Sequence, residues 1–143
     1  MGKITMTLID ASSWIEFLRG RNSEPSRRVK TLLTRGQAAW CEFTLVELWN
    51  GAQGHVEKKA LEDLEAEVQL CAVNEQVWAK ARLLARRSRE KGVTVTSGDI
   101  VVAACAANYA LDVEHCDSHF EKILPIAKKL WHELATTTSG KLR

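Results

Sequence analysis

The chain has 143 residues, of which 45% are hydrophobic and 27% are charged, with eight glycines and two prolines. This size and composition predict one compact soluble domain and exclude disordered and collagen-like chains. The 20 basic and 18 acidic side chains leave a formal net charge of +2, which is too small to identify a nucleic-acid-binding protein by itself.

Short apolar runs alternate along the chain with longer stretches of helical periodicity. This alternation is typical of α/β proteins with a parallel sheet, because each crossover between parallel strands needs a long connection that is usually a helix. The predicted strands are Ile4 to Ile9, Ala39 to Phe43, Gln69 to Val73 and Leu111 to Cys116.

The helix predicted from Asn74 to Lys91 is the best supported, because its apolar residues recur every three or four positions. A similar helix is predicted from Val56 to Val68, and Gly54 is predicted to mark the end of the helix before it. The segment from Ile100 to Ala107 is apolar on every side. It must therefore be covered all round, either by the sheet and neighbouring helices or by a second subunit.

The carboxyl-terminal part is predicted to hold a last helix from about His119 to Lys129 and a short fifth strand near Leu130 to Leu134. The sheet would then have four or five strands. Residues 1–134 are predicted to form the domain, and residues 135–143 lack apolar periodicity and are expected to form a flexible tail.

The four cysteines lie in apolar stretches, with no CxxC pair and no signal peptide ahead of them. They are predicted to be reduced, buried thiols of a cytoplasmic protein. The longest uncharged run, from Ile100 to Leu111, has 12 residues, whereas a membrane-spanning helix needs about 20. No membrane anchor is therefore expected.

Acidic residues follow the predicted strands. Asp10 and Asp117 come directly after the first and fourth strands, Asp99 opens the all-apolar helix, and Glu47 lies four residues after the second strand. Because the carboxyl ends of parallel strands border the crevice where ligands bind, these four acids are predicted to converge on one edge of the sheet.

Each acid also has a simpler interpretation as a helix cap. An aspartate in the first turn of a helix is favoured by the helix dipole, and Thr44 with Glu47 matches a capping box. Caps, however, need not share one sheet edge. Glu47 is also surrounded in sequence by apolar residues, where a lone buried glutamate would be costly.

A cluster of four carboxylates needs a positive partner. Two like charges about 5 Å apart repel by about 3 kcal/mol at an effective dielectric of about 20. A site built only from carboxylate oxygens suits Mg²⁺ or Mn²⁺ better than zinc. A zinc site formed by His115, Cys116 and His119 is an alternative, but it lacks a fourth ligand.

Taken in order, the motifs Leu8-Ile9-Asp10-Ala11-Ser12, Thr44-Leu45-Val46-Glu47-Leu48, Asp99-Ile100-Val101-Val102-Ala103-Ala104 and Asp117-Ser118-His119-Phe120 resemble those of the PIN-domain ribonucleases. In its short single-domain form the chain resembles the VapC toxins of prokaryotic toxin-antitoxin modules. The resemblance covers roughly Met6 to Ile123.

The resemblance implies a three-layer α/β/α fold and an Mg²⁺- or Mn²⁺-dependent endoribonuclease. Asp10, Glu47, Asp99 and Asp117 match the family's catalytic, metal-binding acids, and Ser12 matches the hydroxyl residue that supports the first acid. The family often carries Asp-x-Asp-Phe where this chain has His119 as the third residue. His119 is then either a replacement ligand or a surface residue, and the surface interpretation is favoured.

A nuclease also needs groups that hold RNA. The basic residues nearest the first motif are Arg19, Arg21, Arg27 and Arg28, and Trp14 is close enough to Asp10 in sequence to be tested as a base-stacking residue. The toxin assignment further implies a homodimer and a cognate antitoxin protein. Alternatives are an RNA-maturation nuclease and a non-catalytic module that binds RNA or protein.

Overall fold

The computed structural model describes residues 5–141, which form a parallel four-stranded sheet and seven helices. The strands are β1 (Thr7–Ile9), β2 (Ala38–Cys41), β3 (Gln69–Cys71) and β4 (Asp112–Glu114), in the order β3-β2-β1-β4. The chain moves outward from β1 to β3 and then returns to place β4 on the other side of β1. The strand order therefore reverses between β1 and β4, which is where α/β proteins bind their ligands.

Helices cover both faces of the sheet. They are α1 (Ala11–Leu18), α2 (Glu24–Thr34), α3 (Glu42–Gly51), α4 (Gly54–Glu65), α5 (Glu75–Glu90), α6 (Ser97–Asn108) and α7 (His119–Lys141). None of the helices within residues 5–141 combines the length and the apolar character needed to cross a bilayer.

Strand residues alternate between two hydrophobic cores, because successive side chains of a strand point to opposite faces. Leu8 and Ala39 pack with α5, α6 and α7 on one face, whereas Ile9 and Trp40 pack with α1 to α4 on the other. The predicted α/β/α layering is confirmed.

Helix α6 is the central helix of its layer. Residues 101–106 are all buried, and the helix packs against α5, α7 and α3. The neighbouring helices and the sheet of the same chain therefore cover the segment that is apolar on every side.

The predictions for Gly54 and for the segment Leu130 to Leu134 are wrong. Gly54 does not end the preceding helix: α3 ends at Gly51, and Gly54 begins α4 with a φ of +75° that favours glycine. The fifth strand near Leu130 to Leu134 is replaced by α7, which continues to Lys141. The reason is helical spacing, since Ile123, Ala127 and Leu130 are buried on one face and Leu134 packs beside them.

The tail begins with helix rather than with irregular chain. Residues 135–141 continue α7, and residues 142–143 lie outside the described part, as does Ile4 of the predicted first strand. Flexibility of this tail stays a prediction.

Three of the four cysteines are buried as predicted, but Cys116 is exposed. Strand β4 ends at Glu114, so Cys116 lies beyond the sheet. The apolar run before Cys116 in the sequence does not indicate this early end of the strand. Burial raises the pKa of Cys71 to about 11. We therefore expect one thiol to react rapidly with Ellman's reagent in the native protein and four after denaturation. Rapid reaction of two or more native thiols would contradict this burial.

Candidate functional site

Asp10 lies at the carboxyl end of β1 and is the N-cap of α1. Its backbone N–H donates to the Glu114 carbonyl (2.9 Å), which ties the residue to the end of β4. Its Oδ2 accepts hydrogen bonds from the Ser12 N–H (3.1 Å) and the Ser12 hydroxyl (2.9 Å). Asp10 is therefore a helix cap as well as an acid at the strand end.

Ser12 joins the ends of β1 and β4. While its hydroxyl donates to Asp10, its Oγ accepts from the Cys116 backbone N–H (3.2 Å). Since Asp117 follows Cys116 directly, Ser12 holds the segment that carries Asp117 beside Asp10.

Asp99 stands in the first turn of α6 and is buried. The N-cap of this helix is Thr96, whose hydroxyl oxygen accepts from the Asp99 N–H (3.2 Å). The Asp99 carboxylate is therefore left for other partners, and its Oδ2 lies 2.8 Å from Nδ1 of His119.

The capping box suggested by Thr44 and Glu47 is absent. Helix α3 begins at Glu42, its N-cap is Cys41, and the cap makes no side-chain hydrogen bond. Glu47 therefore lies one turn inside α3, where its side chain reaches the amino end of α6.

Gly98 allows Glu47 to approach Asp99. A Cβ atom at position 98 would lie 3.1 Å from Cε1 of Phe43 and 3.3 Å from Oε2 of Glu47. The missing side chain thus makes room for the Glu47 carboxylate. Gly98 was not singled out from the sequence, where only its position before Asp99 hinted at a close approach.

The first three acids share one electrostatic environment. Partial burial of its carboxyl group, together with the negative charges of Asp10 and Asp99, raises the pKa of Glu47 to about 7. Burial is also the main cause that raises the pKa of Asp10, with a smaller contribution from Asp99, although hydrogen bonds from Ser12 oppose it. The structure thus brings Asp10, Glu47 and Asp99 together around one negative pocket.

His119 connects this pocket to Asp117. Its backbone N–H donates to Oδ1 of Asp117 (2.9 Å), and its Nδ1 lies 3.5 Å from the same oxygen. His119 is more than a surface residue, because its side chain, although 37% exposed, contacts Asp99 and Asp117 at once. His119 and Asp99 are 20 residues apart in the sequence, so no local sequence pattern predicts their contact.

The donor atoms of this cluster suit a divalent cation. One ligand atom each from Asp99, Asp117 and His119 lies within 4.8 Å of the others, and Asp10 and Glu47 add carboxylates on the Asp99 side. The zinc hypothesis is not supported. His115 and Cys116 are outside the ligand cluster found among residues 5–141, and the His115 ring packs on Phe120 instead.

The basic residues proposed to hold RNA are all engaged on the protein surface. Arg19 pairs with Glu57 (3.7 Å), Arg21 with Glu16, Arg27 with Asn22 (2.9 Å), and Arg28 with Glu114 through both carboxylate oxygens (2.9 Å). Arg19 is distinguished by its position, because it lines a small pocket together with Glu47.

Trp14 is fully buried, which excludes the proposed base-stacking role. Its side chain is 0% exposed, and its ring centroid lies 5.0 Å from that of Trp40 and 6.2 Å from that of Phe17. A ring enclosed in this way has no free face for a nucleobase, so the base-stacking assignment is wrong. Trp14 belongs to the core beneath α1.

The raised pKa of Glu47 predicts a pH-dependent loss of stability. A folded pKa of about 7 lies above the ordinary value of 4.5, so the folded protein holds a proton that the unfolded chain releases between these pH values. The contribution of Glu47 to stability therefore falls as the pH rises from about 4.5 to 7. In EDTA, the melting temperature of Glu47→Gln minus that of the wild type should therefore increase steadily as the pH rises from about 4.5 to 7.

Glu62→Gln, an exposed change on α4, is the matched control and should show no such trend. A difference in melting temperature between wild type and Glu47→Gln that stays constant across this pH range would contradict the raised pKa of Glu47.

A model of the PIN domain family matches residues 7–124. Ribonuclease VapC11 of Mycobacterium tuberculosis is 31% identical over 125 residues, which cover 85% of this chain and 93% of the relative. Among solved structures, VapBC2 from Rickettsia felis bound to a promoter DNA fragment aligns with a TM-score of 0.70 at 12% identity, over 85% of this chain and 95% of the other. VapBC-5 from Mycobacterium tuberculosis aligns with a TM-score of 0.61 at 23% identity, over 82% and 89%.

Proposed function

The chain belongs to the PIN-domain family, and on that basis we propose that it is a metal-dependent endoribonuclease of the VapC type, the toxin of a toxin-antitoxin pair. The observation that carries the proposal is the convergence of Asp10, Glu47 and Asp99 in one pocket, with Asp117 joined to it through His119. The resemblance seen in the motifs and the ribonuclease name of the relatives support the same reaction.

The residues that would hold Mg²⁺ or Mn²⁺ are Asp10, Glu47, Asp99 and Asp117. When bound, such an ion lowers the pKa of a water ligand and stabilises the charge that develops on the scissile phosphate. Burial raises the pKa of Glu47, and the negative charges of Asp10 and Asp99 add to the effect. This added repulsion is a physical reason for the pocket to attract a cation.

The protein side chains supply positioning. Ser12 fixes Oδ2 of Asp10 with two hydrogen bonds, so its hydroxyl serves to orient this acid. Glu47 and Asp117 would orient the attacking water. Arg19, which lies beside Glu47, is the basic residue best placed to hold an RNA phosphate.

The test is an RNA cleavage assay with the purified full chain, run with Mg²⁺, with Mn²⁺ and with EDTA. Cleavage is expected only with a divalent cation, and Asp99→Asn should abolish it. Asp112→Asn is the matched control, because Asp112 is an exposed aspartate at the opposite end of β4 and should leave cleavage unchanged. Equal cleavage by wild type and Asp99→Asn would indicate another site or a contaminant and would refute the proposal.

We also propose an antitoxin partner and a homodimer, both of which follow from the VapC resemblance. A negative pocket of this kind would accept a basic side chain of the antitoxin in place of metal and RNA. Co-purification of the product of a neighbouring small gene, with loss of RNA cleavage in the complex, is the expected result. Sedimentation of the isolated chain as a monomer at micromolar concentration would contradict the dimer.

A further inference from the structure

His119 occupies the place in the Asp117-Ser118-His119-Phe120 motif where the resembled pattern carries a second aspartate. We propose that His119 is a direct nitrogen ligand of the metal site, and that it makes the site prefer Mn²⁺ over Mg²⁺. This inference rests on the proposed function for the existence of a metal site, and it adds the identity of one ligand and the resulting ion selectivity.

The spacing of the ligand atoms supports direct coordination. Nδ1 of His119 lies 2.8 Å from Oδ2 of Asp99 and 3.5 Å from Oδ1 of Asp117. Around an octahedral ion with bonds of about 2.1 Å, adjacent ligands are roughly 3 Å apart and opposite ligands roughly 4 Å apart. The three side chains therefore need only small shifts to share one ion.

The backbone anchors the residue that carries the ring. His119 is the first residue of α7, its N–H donates to Oδ1 of Asp117 (2.9 Å), and the next residue, Phe120, is fully buried. The start of α7 is thus anchored in the core. The ring itself is positioned by its contacts with Asp99 and Asp117, and the anchored backbone lowers the entropic cost of using it as a ligand.

The chemistry of the donor atom leads to the selectivity. Mg²⁺ prefers oxygen ligands and keeps its waters, whereas affinity for an imidazole nitrogen rises along the first-row transition metals. One nitrogen in an otherwise carboxylate site should therefore favour Mn²⁺ relative to Mg²⁺. Aspartate at position 119 would restore an all-oxygen site and reduce this preference.

The direct test is pulsed electron paramagnetic resonance of the full chain loaded with Mn²⁺. A directly bound imidazole gives a ¹⁴N coupling to the manganese electron spins, and carboxylates and water do not. The coupling is expected in the wild type, absent in His119→Gln, and retained in the matched control His132→Gln, which changes an exposed histidine of the same helix.

Calorimetric titration supplies the second measurement, with Mn²⁺ and Mg²⁺ titrated separately. The ratio of Mn²⁺ to Mg²⁺ affinity should fall by roughly tenfold or more in His119→Asp. Circular dichroism should show that His119→Gln and His119→Asp fold like the wild type. No ¹⁴N coupling in Mn²⁺-loaded wild type, or its persistence in His119→Gln, would overturn the proposal.

The two proposals fail in different ways. RNA cleavage without ¹⁴N coupling would refute the assignment of His119 as a metal ligand and would still support the nuclease activity. Coupling that depends on His119 in a protein that never cleaves RNA would support the metal ligand and refute the nuclease. Absence of Mn²⁺ binding would refute the ligand assignment directly.

Discussion

Replacing Asp10 by asparagine is expected to lower metal-dependent RNA cleavage by roughly 100-fold or more, the scale on which a charge-stabilising group contributes to catalysis. The change removes one negative charge from the pocket that Asp10 shares with Glu47 and Asp99. The fold should be preserved, because asparagine caps helices as well as aspartate does and can still accept the hydrogen bonds of Ser12.

The same substitution should raise the melting temperature of the metal-free protein. Burial raises the pKa of Asp10, with Asp99 adding to the effect, which means that the charged carboxylate is less stable in the folded protein than in the unfolded chain. A neutral amide removes this penalty at pH 7.

Two measurements on the same protein preparation test the expected effects of Asp10→Asn on cleavage and on melting temperature. RNA cleavage is followed with Mn²⁺ or Mg²⁺, and thermal unfolding is followed in EDTA. Asp112→Asn, remote from the pocket at the other end of β4, should alter neither quantity. Unchanged cleavage in Asp10→Asn would show that Asp10 is not part of the metal site. A clearly lower melting temperature without metal would contradict the charge penalty at Asp10.

Replacing Trp14 by alanine should cost about 3–5 kcal/mol of the free energy of unfolding, the range measured when a buried aromatic residue is truncated. The side chain is fully buried and packs against Trp40 and Phe17 between α1 and the sheet. Its removal leaves a cavity that the surrounding helices cannot fill without leaving their positions.

Trp14→Phe is the matched variant. It retains an aromatic ring and removes an indole N–H that is buried without a partner among the described residues, so we expect a loss below about 1.5 kcal/mol. Denaturant unfolding measures both variants. Because Trp14 contacts no RNA in our proposal, folded Trp14→Phe should cleave RNA like the wild type. A stable Trp14→Phe with greatly weakened RNA binding would instead restore the stacking role.

Much of the architecture follows from local patterns. The alternation of apolar strands with amphipathic helices predicts a parallel sheet covered on both faces, since a parallel strand pair needs a long crossover. The failure at Leu130 to Leu134 shows the limit of such patterns. A short apolar segment fits a strand and a helix equally well, and here its packing against the core helices favours the continuation of α7.

The approach of Glu47 to Asp99 could be anticipated only in part. Position after a strand indicates the edge of the sheet at which an acid lies, but not the distance between helices. That distance depends on Gly98, where the missing side chain leaves room for Phe43 and Glu47. The importance of this glycine becomes visible only once α3 and α6 are packed together.

The α/β class and the positions of Asp10 and Asp117 after strands could be predicted from the amino-acid sequence, because these features depend on residues close together in the chain. The folded structure was needed to show that Trp14 is enclosed, that Arg28 pairs with Glu114, and that His119 bridges Asp99 and Asp117. Each of these depends on how whole helices pack on the sheet, and packing brings together side chains that no local periodicity relates.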